Sequence, residues 1–232
     1  METLAELPHV WAGTYLPGYH DWGDAFALAP TYAGFPLDWL PPIERELDDE
    51  LRWLLQEPPL DAALEGSATR ADLDELLRGK QIVLPPPFVA FIGSAEPRRR
   101  IRSATDCYLR LPDSIVRFDK GWLINFLADS QACAFWLLYT GPEGEAVIVT
   151  EYPPGFEFSE EIAARQQREP ASLASDASVC ADSFSEFLYR LWIENEIFFR
   201  LGGPEADRAP LTDEQRRYGE HFRDRMREGL KR

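Results

Sequence analysis

The chain has 232 residues, 45% of them hydrophobic and 12% aromatic, enough to bury a substantial core and too apolar for a disordered chain. Its formal net charge is −16, which excludes the broad positive potential that nucleic acid or an anionic membrane surface requires. Such a charge favours solubility and, where there is a partner, a basic one.

The opening METLAELPHVWAG lacks the basic and apolar regions of a secretory signal. The richest apolar stretch, Ala132 to Tyr139, has the length of a strand and not of a membrane span. Cys107, Cys133 and Cys180 are widely spaced, odd in number and without a CxxC pair, and are expected as buried free thiols in a reducing cytoplasm.

In chain order, residues 1–41 form an arm rich in aromatics, Gly and Pro with no sustained period. Covering part of a neighbouring core suits such an arm better than binding a partner or ligand. From Pro42 to Gln56 the spacing predicts a helix, with Ile43, Leu47, Leu51 and Leu54 on one stripe. Glu44, Glu46, Asp48, Asp49 and Glu50 then occupy the opposite face, as a solvated surface or a docking surface for a basic partner. A second helix starts at Thr69, with Asp72 in a capping arrangement, turns Leu73, Leu76 and Leu77 inward, and stops at Gly79.

LPPPFVAFIGSAEPRRRIRS (84–103) raises three possibilities: a proline-rich ligand, a nucleic-acid arm, or a structural joint. The joint is favoured, because Phe88, Val89, Phe91 and Ile92 call for burial directly after the prolines. Phe88, Phe91 and Ile92 would anchor a short helix that Pro97 stops, and the four arginines Arg98, Arg99, Arg100 and Arg102 would serve as counter-charges to the acidic helices.

Strands follow at Cys107 to Leu111 and Trp122 to Leu127, and CAFWLLYT-GPEG-EAVIVTEY (133–152) predicts a hairpin. Both faces of its first arm are apolar, with Trp136 and Leu138 opposite Phe135, Leu137 and Tyr139, so the strand is central and covered on both sides. After a polar stretch, Ser159 to Ser178, Ser183 and Glu186 form a capping box for a helix with a broad stripe through Phe184, Phe187, Leu188, Leu191 and Trp192. Thr212 and Gln215 open a last, highly charged helix in residues 204–232, with Tyr218, Phe222 and Met226 as a narrow stripe that packs lightly or projects. The order predicts an α+β domain over residues 42–203: a central antiparallel sheet with helices mainly on one side.

No GxGxxG, Walker, GxSxG or HExxH motif is present, and the plentiful carboxylates single out no acid–base pair, so no catalytic, cofactor-binding or metal-binding residue is expected. His20 with Asp21 and Asp24 is the nearest approach to a metal set and a weak one.

LPPPFVAFIG resembles the Leu-Pro-x-x-aromatic-x-x-Phe-aliphatic signature of the SUKH superfamily, which includes a yeast cell-wall-synthesis regulator and many bacterial immunity proteins; Leu84, Pro85, Phe88 and Phe91 match it. Asp129 before the hydrophobic hairpin, and ADSFSEFL with Ser183, Phe184 and Phe187, fit the later parts of that pattern. The arm, the final helix and a long insert after Tyr152 fall outside it. The resemblance implies a protein-binding α+β domain without catalytic residues or cofactor. Its bacterial form is an immunity protein that neutralises a toxin, often a basic nuclease. On that reading Glu44, Glu46, Asp48, Asp49 and Glu50, with Asp129 and Trp136 at the sheet edge, form the interface. An intracellular scaffold or regulatory module, and an enzyme with an unrecognised site, are the alternatives.

Overall fold

The computed structural model describes residues 3–13, 32, 34–60, 64–66, 68–112, 115–151, 153, 177–202 and 209–229. Most of the polar stretch and the His20, Asp21 and Asp24 set lie outside the described residues.

The fold is α+β. Strands β1 (Val10–Ala12) and β2 (Gly34–Pro36) pair with each other in the arm. The main sheet contains β3 (Glu65–Gly66), β4 (Tyr108–Leu109), β5 (Val116–Phe118), β6 (Gly121–Ala128), β7 (Phe135–Gly141), β8 (Gly144–Thr150) and β9 (Ser178–Ala181). Its order is β3-β4-β6-β7-β8-β9, and β5 pairs the first half of β6 where β4 pairs the second. The six strands β4 to β9 are antiparallel, and β3 joins β4 in parallel. At the β9 edge the arm takes over, with the Val179 amide donating to the Pro8 carbonyl.

The hairpin of β7 and β8 turns through Pro142 and Glu143 alone, and Gly144 adopts the positive φ of 128° that favours glycine. Along β7, Trp136 and Leu138 enter the larger core while Leu137 and Tyr139 enter a second cluster on the other face, as the two-sided apolar pattern predicts. On β6 a bulge between Asn125 and Leu127 breaks the alternation and lets the consecutive Phe126 and Leu127 both join the larger core.

The helices are α1 (Arg52–Leu55), α2 (Arg70–Leu76), α3 (Pro86–Gly93), α4 (Ala95–Arg98), α5 (Phe184–Gly202) and α6 (Asp213–Gly229). Among the described residues the helices contribute only to the larger core, and the opposite face is met by Leu4 and Leu7 of the arm.

The helix expected over 42–56 shrinks to the single turn α1. The Asp48 carboxylate accepts the Glu50 and Arg52 amides, and Leu51 takes φ 58°, so a side-chain turn replaces the helical ladder. The apolar spacing still sets burial: Leu51 and Leu54 are fully buried, and Ile43 and Leu47 pack on the core. The α2 cap forms as expected, with Thr69 and Asp72 bonded reciprocally. Ser94, and not Pro97, ends α3; its hydroxyl caps α4, and Pro97 lies buried inside that turn.

α5 is buried from Phe187 to Ile197 around its whole circumference. One side meets the sheet; the other carries Arg190 and Glu194, which the arm and α6 cover. Trp11 Nε1 and the Tyr218 hydroxyl both donate to Glu194 Oε1 at 2.8 Å, and Arg190 donates to the Pro41 carbonyl. The Ser183 hydroxyl caps the Glu186 amide, but the Glu186 carboxylate faces Arg190. α6 opens on the expected Thr212–Gln215 box and is packed through Tyr218 and Phe222, each 2% exposed, with Phe222 edge-on to Phe35.

Candidate protein-binding surface

The segment from Pro41 to Leu51 is the candidate surface, because hydrophobic anchors alternate in it with exposed acids. Leu51 is fully buried and Ile43 and Leu47 are partly so, while Glu44, Glu46, Asp49 and Glu50 are exposed. The acids therefore stand on a fixed irregular loop and not on a helical face.

Three guanidiniums answer part of this charge. Arg45 donates to Glu214 through Nε (2.8 Å) and its terminal nitrogen (2.6 Å), and to Glu57 at 2.8 Å, with its plane 4.3 Å from the Trp192 ring centroid. Arg52 pairs with Asp48 and Glu50, each at 3.4 Å. Arg217 forks onto Glu44 and holds that carboxyl below its usual range. Burial opposes ionisation of Asp48, but the Arg52 and Glu50 amides outweigh it and pull its carboxyl down. Glu46 and Asp49 have no ion pair within 4.0 Å among the described residues. Among the described residues, the five loop acids with Glu57 and Glu214, set against these three guanidiniums, leave the surface an excess of four negative charges.

Asp129 and Trp136 do not belong to this surface; they are 4% and 2% exposed. Asp129 is the knot of the β6–β7 turn, accepting the Gln131 and Cys133 amides and the Tyr32 hydroxyl. Trp136 points into the helix-side core, against Tyr32 and Phe187.

The signature residues are structural. Phe88, Phe91, Phe184 and Phe187 are each at most 1% exposed and meet around Phe126, with Phe88 5.1 Å from Phe184 and Phe126 5.5 Å from Phe187. Leu84 and Pro85 lead into α3 half-buried, and Ser183 caps α5.

Of the arginine run, Arg98, Arg100 and Arg102 turn inward and Arg99 stays exposed; among the described residues none makes the expected pair with the acids of residues 42–56 or of α2. Arg102 pairs with buried Glu196 at 2.9 Å and lies over Phe199, while Arg98 and Arg100 donate to the Ala68 and Glu57 carbonyls. Arg99 and Arg100 also pair with Glu96. Cys107 and Cys180 are buried as expected, and burial pushes both thiols up; Cys133, on the tip of the β6–β7 turn, is exposed.

Arg45, Tyr189 and Glu214 are the site residues that the sequence did not reveal. They come together from three regions, and no local pattern marks them. A separate groove of about 1010 Å³ runs between α2 and the β4 edge, past Asp72, Glu75, Lys80 and Arg110. The described residues contain no His, Cys, Asp or Glu cluster able to hold a metal, and no helix long and apolar enough to cross a membrane. The chain matches no protein-family model, no curated protein and no solved structure.

Proposed function

We propose that the chain is a non-catalytic, cytoplasmic protein-binding module of SUKH type whose partner is a basic protein, in the specific form of an immunity protein that occludes a nuclease-type toxin. The observation that carries this reading is the incompletely neutralised acidic loop at Glu44 to Glu50, in which Glu46 and Asp49 keep no ion pair among the described residues, held in place by Leu47 and Leu51. A loop anchored by buried leucines presents its carboxylates without the ordering cost of a flexible tail. An excess of four negative charges suits a basic cleft, where complementary charge speeds association and selects the partner. The aromatic signature residues lie in the core, so the resemblance speaks for the fold more than for the choice of partner.

Co-expression with a panel of basic nuclease toxin domains tests the proposal. The expected result is restored growth with at least one of them, lost when Glu46 and Asp49 are replaced by lysine. Absence of protection across the panel contradicts the immunity form. Stable binding to a housekeeping protein in its place supports the scaffold alternative.

A further inference from the structure

A cavity of about 220 Å³ adjoins the acidic loop between residues 41–44, α5 and α6. Pro41, Pro42, Tyr189 and Tyr218 supply its flat, largely apolar walls, and Glu44 and Glu214 its carboxylates. The Tyr218 hydroxyl is turned to Glu194 and His221 Nε2 to the Trp39 carbonyl, so those polar ends are already engaged. The adjacent Arg45 shows how these surroundings hold a guanidinium: it lies over the Trp192 ring and forks onto Glu214. At the cavity's outer side Arg217 reaches Glu44, with the arginine side chain 57% exposed and the glutamate 36%.

We infer that this cavity receives an arginine side chain of the basic protein partner, in exchange for Arg217. The inference rests on the basic-partner reading above and specifies where the partner is gripped. A planar guanidinium stacks on tyrosine and proline faces and bonds a carboxylate through two parallel N–H groups, which an ammonium does not do. The exchange is cheap because solvent screens an exposed Arg–Glu pair, which then contributes little. The excess of four carboxylates in the surrounding network supplies the charge complementarity.

Titration of the ¹⁵N-labelled protein at low salt with a hexa-arginine peptide, and with hexalysine and hexaglutamate for comparison, tests it. Hexa-arginine is expected to shift the amides of Glu44, Tyr189 and Tyr218, more strongly than hexalysine, and hexaglutamate to shift none of them. Arg217→Ala is expected to tighten hexa-arginine binding by up to about fivefold, the release of one exposed pair, and Glu44→Gln to weaken it. Shifts confined to Glu46–Glu50 overturn the cavity assignment and leave the basic-partner reading standing. Unchanged or weaker binding to a folded Arg217→Ala variant overturns the exchange, and no shifts at all count against both.

Discussion

Glu145 sets charge directly against fold. It stands at the start of β8 and its carboxylate accepts the Phe184 amide at the head of α5, but Oε2 is buried without a hydrogen-bond partner among the described residues. Burial raises its pKa above the usual 4.5, and Asp49 raises it further. The folded chain thus binds this proton more tightly than the unfolded chain does. Stability therefore falls as the pH rises from about 4.5 to the raised value, and the loss persists above it. Glu145→Gln keeps an acceptor for the Phe184 amide and removes the charge. Its melting temperature is expected to exceed that of the parent chain at pH 7 and to equal it below the usual glutamate pKa. An equal shift at both pH values contradicts this account. A carboxylate before a hairpin is ordinarily exposed, so the sequence places Asp129 at the surface; Tyr32, 97 positions away, and the turn amides close it in, and Tyr32 also covers Trp136.

At the scale of elements, hydrophobic spacing foretold burial better than it foretold helix. Ile43, Leu47, Leu51 and Leu54 face the core, but the aspartate between them turns the chain before a helix can propagate. The hairpin, the Thr69 cap, the short α3 and the Thr212 cap were legible because each depends on neighbours within a few residues. The second burial of α5 was not, because Arg190, Glu194 and Glu196 look like a solvent face until the arm, α6 and Arg102 supply their partners. Tyr218→Phe tests that junction. Removing a donor from the buried Glu194 costs about 1–3 kcal/mol, read as a lower urea midpoint with an unchanged m-value. A change within about 0.3 kcal/mol would show that the hydrogen bond contributes little.

For the whole molecule, an antiparallel sheet with helices on one face follows from short strands joined by tight turns, and the sequence carried that much. The order in which β4 and β5 share one edge of β6, and the arm's docking on β9, depend on pairings between distant segments. The proposed partner surface depends on them too, since Glu44 meets Arg217 only after α6 has folded back. The central proposal, that the Glu44–Glu50 loop attracts and grips a basic protein, is tested most directly by the association rate with a basic nuclease toxin domain, measured against ionic strength. Reversing Glu46, Asp49 and Glu50 to lysine is predicted to slow association on the order of tenfold at low salt and to flatten the salt dependence. Asp74→Lys, on the exposed face of α2, should leave both nearly unchanged. Equal slowing by both variants, or none by the triple reversal, would contradict the proposal.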